Sequence, residues 1–351
     1  MSDQNWWLAA PKSLHEDSRR QASDHQNQLT KPPGSLGELE NIAIRFAAFQ
    51  GQVKPQLKQP AAVVFAADHG VVAQGVSAFP QAVTVEMLKN FVAGGAAVAV
   101  LAAWHQMPLA VVNCGTALPC DNLEGVIQRP VMPGTADFSQ QPAMTEAQAR
   151  AALQIGAEQL ERLAQDGCDL FIAGEMGIGN TSAASCLSAL LLEQDVNALV
   201  GPGTGVQGEA LSHKQQVLAA SVERARPLVK SPLDALQQCG GLEVAAMTGA
   251  YLRAAQLGIP VLVDGFIATS AALLATRLNP QVRDWMLFGH SSAEPGHRVL
   301  LEVLAGKPLV QLGMRLGEGS GAAVAVGIIR QALALHNSMA TFAEADVSGA
   351  E

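Results

Sequence analysis

Charge is scarce in this chain. Only 15% of its 351 residues are Asp, Glu, Lys or Arg, against about 25% in an average globular protein. Aromatic side chains make up 4%, with a single tyrosine. Each shortage excludes something. The 22 Lys and Arg are outnumbered by 31 Asp and Glu, for a net charge of −9, and no basic cluster is interleaved with aromatics. That balance excludes the positive footprint of a nucleic-acid or anionic-membrane binder. The five cysteines (Cys114, Cys120, Cys168, Cys186 and Cys239) are odd in number and never spaced C-x-x-C. Such scatter argues against a disulfide framework or a zinc site and fits reduced thiols in a cytoplasm. The eight histidines form no H-E-x-x-H pair, so the residues imply no metal. The most apolar stretches, 95–104 and 268–275, run to about ten residues, short of the 18 or more that a membrane helix needs. The first fifteen residues lack both a basic start and a long apolar run, so no signal peptide is expected. A G-x-x-x-x-G-K-[ST] loop and a G-x-S-x-G elbow are also missing, which argues against a P-loop nucleotidase and a serine hydrolase.

What is present is a chain 49% hydrophobic with 33 glycines. Small residues take the place of aromatics, and disorder is excluded as the general state. The length allows one large domain plus a smaller one, or two medium ones. Residues 1–58 are polar and Gln-rich, with helical spacing at Leu39, Ile42, Ala43, Phe46 and Ala47. Short apolar runs follow at 61–67, 109–112, 170–173, 260–263 and 285–288, each too short for a helix. They read as strands buried on both faces. Helical patterns lie between them, for example at 145–163, 211–226 and 243–257. Strands alternating with helices predict an α/β fold with a Rossmann-like parallel sheet flanked by helices. Polar residues and glycines collect after the runs: Asp68-His69-Gly70, Asn113-Cys114-Gly115, Glu175-Met176-Gly177, Asp264-Gly265 and His290-Ser291-Ser292. Open α/β sheets place their ligand crevice at such carboxyl ends. Both chain ends look helical and could pack together as a minor lobe.

Several motifs have ordinary explanations. Gly203-x-Gly205-x-x-Gly208 matches the dinucleotide fingerprint in form, yet only a brief apolar run precedes it and no acidic residue follows at the end of a second strand. A nicotinamide-dinucleotide oxidoreductase is therefore the first rival reading, and a nucleotide-binding protein without turnover is the second. In either case the loop offers backbone NH groups and a helix N-terminus suited to a phosphate. Lys214 lies inside the following helix, where a lone lysine is ordinarily a solvated surface residue. The junction 174–182 has three glycines and a Thr181/Ser182 pair that suits helix capping, which leaves Glu175 unexplained. Glu318, between Gly317 and Gly319, has no local structural reason to be a carboxylate. Two carboxylates in glycine-flanked loops suit acid–base work on a nitrogen heterocycle or a glycosidic carbon. No catalytic role is assigned to His69 or His290.

Six ordered blocks add specificity: Lys31-Pro32-Pro33-Gly34-Ser35-Leu36-Gly37, Ala67-Asp68-His69-Gly70-Val71, 174–181, Gly240-Gly241-Leu242-Glu243, Val263-Asp264-Gly265-Phe266 and 314–321. Together, over about residues 30–335, they resemble nicotinate-nucleotide–dimethylbenzimidazole phosphoribosyltransferase, which builds the lower ligand of cobalamin. The resemblance implies a transferase with no cofactor, whose substrates are nicotinate mononucleotide and a benzimidazole-type base. By the family's pattern Glu318 is the base and Glu175 a second carboxylate in the same pocket. Gly177, Gly179, Asn180, Thr181, Gly203, Lys214, Asp264, Gly265 and Ser292 would contact the ribotide, and Phe79 and Met87 would line the base pocket. The implied organisation is an α/β domain at 60–300 and a small helical lobe from 1–59 plus 301–351 that carries the Glu318 loop, working as a cytoplasmic homodimer. Pro202 stands where many relatives have arginine, so one expected cation is missing.

Overall fold

The computed structural model describes residues 5–203 and 205–348. Two N-terminal helices, α1 (Glu16–Gln26) and α2 (Glu38–Gln50), precede β1 (Pro60–Ala67). Helices α3 (Ala82–Val92) and α4 (Ala97–Trp104) lead to β2 (Leu109–Gly115) and β3 (Val126–Gln128), then to α5 (Glu146–Gln165) and β4 (Leu170–Met176). After β4 come α6 (Asn180–Leu192), α7 (Glu209–Ala225), α8 (Pro232–Cys239), α9 (Leu242–Leu257) and β5 (Val261–Val263). The chain continues through α10 (Phe266–Leu278), β6 (Met286–His290), α11 (Pro295–Val303), β7 (Pro308–Val310) and α12 (Ser320–Ser338).

The seven strands form one sheet in the order β3-β2-β1-β4-β5-β6-β7, and every pairing is parallel. This is the expected α/β class. Five strands coincide with the apolar runs. The edge strands β3 and β7 have three residues each and, unlike the equally short but fully buried β5, carry only two aliphatic residues and are mostly half-buried, so no apolar run marks them. Strand β4 extends past the apolar run because its ladder with β1 continues through Phe65↔Glu175 and Ala66↔Met176. Glu175 is thus held by a strand rather than a loop. The strand order reverses between β1 and β4, which defines the switch point where open sheets form their crevice.

The small-residue composition has a packing consequence at the crossing of α5 and α9. A Cβ on Gly156 would lie 1.7 Å from the Ala246 carbonyl oxygen, and one on Gly249 would lie 1.9 Å from that of Leu153. The two backbones touch, so any side chain must push the helices apart. Gly249→Ala is expected to cost about 1–3 kcal/mol, the usual range for overpacking, and to lower the urea midpoint without changing the slope.

The two chain ends come together. Leu29 bridges Thr341, the Gln26 side chain meets the His336 ring at 2.8 Å, and Lys31 forms a buried ion pair with Glu40 at 2.7 Å. One segment departs from the sequence expectation about apolar stretches. Ala82–Trp104 spans 23 residues with mean hydropathy 1.5, long and apolar enough to cross a bilayer. Its polar residues, among them Thr84, Glu86 and Lys89, interrupt the run without lowering the average enough. In the fold it is two helices, with left-handed Gly94 (φ +80°) in the break between them.

Candidate active site

A cavity of about 340 Å³ opens at the carboxyl ends of β4, β5 and β6, within the size range of small-molecule sites. Glu175 and Met176 at the end of β4, Asp264 and Gly265 after β5, and His290 and Ser292 at and after β6 form its floor and one side. The segment 315–318, just before α12, and Phe79, Val83 and Met87, at and ahead of α3, close it.

Glu318 is held in an unusual backbone state. Its φ is +65°, between Gly317 at +87° and Gly319 at +90°. A non-glycine residue in that region costs of order 1–3 kcal/mol and persists only where its surroundings enforce it. Three contacts do so here. The Glu318 amide donates to Glu175 Oε1 at 3.4 Å. The Gly319 amide donates to Asp264 Oδ2 at 3.3 Å and the Ala322 amide to Asp264 Oδ1 at 2.7 Å. Beneath the loop, a Cβ on Gly174 would stand 1.9 Å from the Glu318 carbonyl oxygen, so the turn rests directly on β4.

The two glutamates differ in what their oxygens have left to do. Glu175 also accepts from the Asn180 side-chain amide. Burial, followed by the nearby charges of Glu243 and Asp264, pushes it well above the ordinary carboxylate value. Glu318 is buried and borders the cavity, and its Oε2 has no hydrogen-bond partner among the described residues. Burial raises its pKa, partly offset by the Val98 amide at the start of α4 and reinforced by Asp264. A buried acceptor without a donor invites a ligand proton.

Asp264 was expected to contact substrate. Asp264 lines the cavity, and its carboxylate also caps the first turn of α12, whose Gly319 N-cap has no side chain to do so, and lies 3.5 Å from His290 Nε2. Burial raises its pKa, while His290 and these amides pull it down. The neighbouring loop is tied down in turn. His297 Nδ1 accepts from the Ser292 amide at 2.8 Å, so the ring's proton sits on Nε2, 3.0 Å from Thr269 Oγ1. Thr269 donates onward to the Gly265 carbonyl at 2.8 Å. Burial and the nearby His290 lower His297 to about 3, which keeps the ring neutral and this chain of hydrogen bonds intact across the physiological range.

Lys214 is not a surface residue. It is 1% exposed, and its Nζ donates to Thr181 Oγ1 at 3.1 Å and to the Gly201 carbonyl at 3.3 Å. It lies behind the wall, with Thr181 and Gly203 between it and the cavity. Thr181 therefore answers a lysine rather than capping a helix. The N-cap of α6 is Gly179, with no side-chain cap, and the Ser182 hydroxyl is unpartnered. Gly179 supplies a left-handed turn (φ +98°) packed on Val72 and His69 and is absent from the cavity wall, while Gly177, Asn180, Thr181, Gly203, Gly265 and Ser292 line it. Of the 201–205 loop only Gly203 reaches the cavity, and Thr204 lies outside the described residues. The loop also lies between α6 and α7, following a short 3-10 turn rather than a strand. That placement removes the dinucleotide fingerprint, which needs a strand–turn–helix junction. His69 is fully buried, paired with Glu243 at 2.8 Å, and absent from the wall; His290 is on it.

A phosphoribosyltransferase family model matches residues 12–347. The chain is 53% identical over 343 residues to the nicotinate-nucleotide–dimethylbenzimidazole phosphoribosyltransferase of Pseudomonas aeruginosa (strain UCBPP-PA14), covering 98% of each. The chain belongs to this phosphoribosyltransferase family. The enzyme of the same name from Pseudomonas putida KT2440 is 52% identical over 345 residues, again covering 98% of both chains. The crystal structure of CobT from Thermus thermophilus superposes with a TM-score of 0.91 at 46% identity, over 95% of this chain and 100% of that one. Within this phosphoribosyltransferase fold, sequence reasoning missed Glu294 and Arg315 on the cavity wall. Glu294 precedes Pro295 at the start of α11 and reads as an ordinary helix boundary. Gly174 was visible only as one glycine of a motif, because the chain segment it touches lies more than a hundred residues away.

Proposed function

We propose that this chain transfers the phosphoribosyl group of nicotinate mononucleotide to 5,6-dimethylbenzimidazole or a related base. Nicotinate leaves, and the α-ribotide used as the cobalamin lower ligand forms. The observation that carries the chemistry is the unpartnered Oε2 of Glu318 at the edge of the cavity. One ring nitrogen of the base forms the new bond to C1′ as the bond from C1′ to the pyridinium nitrogen breaks. The electron pair of that bond neutralises the departing ring, so departure needs no general acid. The second ring nitrogen becomes acidic as its partner bonds, and its proton passes to Glu318 Oε2. A raised pKa suits Glu318 to this transfer, since a base whose pKa lies nearer the working pH accepts a proton more completely.

In this reading Glu175 positions the Glu318 loop through the hydrogen bond to its amide. The phosphate lies toward Thr181, Gly203 and Ser292, where Lys214 contributes charge from behind the wall. Phe79 and Met87 give the base an apolar wall, favouring methylated benzimidazoles or phenolic bases over purines. We also assign α1, α2 and α12 to a small lobe formed by 1–59 and 301–351 beside the α/β part at 60–300, with β7 of the second segment joined to the sheet edge. The reading includes a homodimer in the cytoplasm. Exposed Val100 and Trp104, four residues apart on α4, support burial of that face.

Incubating the protein with nicotinate mononucleotide and 5,6-dimethylbenzimidazole tests the reaction. Free nicotinate and an α-ribotide should appear together in equal amounts. Binding of the mononucleotide with no nicotinate released, at saturating concentrations of both substrates, would leave a nucleotide-binding protein instead.

A further inference from the structure

Glu294 is a fourth carboxylate on the cavity wall, beside Glu175, Asp264 and Glu318, and the mechanism above does not use it. It is 6% exposed, and both of its side-chain oxygens lack a hydrogen-bond partner among the described residues. Structural reasons for a glutamate here fail one by one. It occupies the N-cap position of α11, but its side chain does not cap the helix. It forms no ion pair within 4 Å with any described cation, and Lys214 spends its hydrogen bonds on Thr181 and Gly201. Its Oε2 packs so closely on the Gly201 backbone that a Cβ there would lie 2.0 Å away. The carboxylate thus shares the Gly201–Gly203 loop with the buried lysine. The Gly203 amide favours its charge from the same loop but makes no close hydrogen bond to either oxygen, and an acceptor-only group kept from water is costly unless a ligand supplies donors.

The chemistry of the proposed substrate narrows the choice. In nicotinate mononucleotide the pyridinium nitrogen carries no hydrogen, and the ring carboxylate and the phosphate present chiefly acceptors. The 2′- and 3′-hydroxyls are the donors. Resting on the transferase reading, we infer that Glu294 accepts hydrogen bonds from the ribose hydroxyls and is the group that makes the site specific for a ribosyl rather than a deoxyribosyl donor. Repulsion between this carboxylate and the phosphate also fixes which edge of the sugar faces α11. Burial raises the Glu294 pKa, with Lys214, the Gly203 amide and Arg315 offsetting part of that effect.

The test compares nicotinate release from nicotinate mononucleotide and from its 2′-deoxy and 3′-deoxy analogues, using wild type, Glu294→Gln and Glu294→Ala. Wild type should prefer the ribo substrate over at least one analogue by about tenfold to a hundredfold in kcat/KM, the range for a hydrogen bond to a charged group. In Glu294→Ala the preference should shrink to about threefold or less, and Glu294→Gln should fall between the two. Thermal unfolding midpoints monitor folding. Equal losses on all three substrates, with the preference intact, would make Glu294 a counter-ion for Lys214 and overturn the inference. So would a wild type that does not discriminate. Failure of wild type to release nicotinate from the unmodified substrate would instead overturn the transfer reaction itself, and this role with it.

Discussion

Glu318→Gln should lower turnover at least about a hundredfold, the ordinary range for loss of a general base, while nicotinate mononucleotide binding changes little. The amide fills the same space and keeps the left-handed turn, whose restraints are contacts to the backbone of residues 318, 319 and 322 rather than to the Glu318 side chain. What it cannot do is take the proton from the attacking base. The pH profile gives a second readout, with a definite sign. In the proposed reaction Glu318 acts when ionised, and its pKa is raised by burial, so wild-type turnover should fall with decreasing pH through a value above the ordinary 4.5. That acidic limb should be absent in the variant. Turnover like that of wild type would move the base elsewhere, with Glu175 the first candidate.

Gly174→Ala should be nearly as damaging, although the residue bears no reactive group. Its added methyl would meet the Glu318 carbonyl oxygen at 1.9 Å, the Glu318 carbonyl carbon at 2.4 Å and the Gly319 nitrogen at 3.0 Å. These are backbone atoms and cannot swing aside as a side-chain tip would. Strand β4 is paired on both sides, to β1 and β5, so the loop must move instead. A displacement of about 1 Å at a catalytic group costs of order a hundredfold in rate. The loss should fall on kcat, because Thr181, Gly203 and Ser292, the proposed phosphate end, are untouched. Steady-state kinetics with a thermal unfolding midpoint would check this. A wild-type kcat in a folded Gly174→Ala protein would show that the loop adapts and that its close seat on β4 is not what aims Glu318.

How much of this was readable in the chain varies residue by residue. The buried strands were legible because parallel strands covered on both faces are continuous apolar runs, and α5 was legible in the helical pattern at 145–163, whose Thr145 forms a reciprocal capping box with Gln148 in the structure. Glu318 and Glu175 stood out because glycine surrounds them and charge is rare elsewhere. Thr181 misled, since a Thr-Ser pair ahead of an apolar helix signals a cap; its real partner, Lys214, is 33 residues on. Lys214 was named as a candidate phosphate cation, but helical position alone cannot tell a solvated lysine from one folded behind a wall. Asp264 was correctly placed at the cavity, yet its partners on α12 lie more than 50 residues further along the chain.

The amino-acid sequence by itself determined the fold class, the positions of the buried strands and the two carboxylates worth testing. Those properties follow from local composition: apolar runs, turn glycines, and charged groups without local excuse. Only the tertiary structure decided which carboxylate has a free oxygen. Burial and competition for hydrogen bonds depend on segments brought together from distant parts of the chain, and it is their meeting that occupies Glu175, ties Asp264 to α12, and leaves Glu318 Oε2 and the Glu294 oxygens at the cavity without a close hydrogen bond among the described residues. One lysine is buried behind the cavity wall at Thr181 and Gly201, a placement its helical position alone did not reveal.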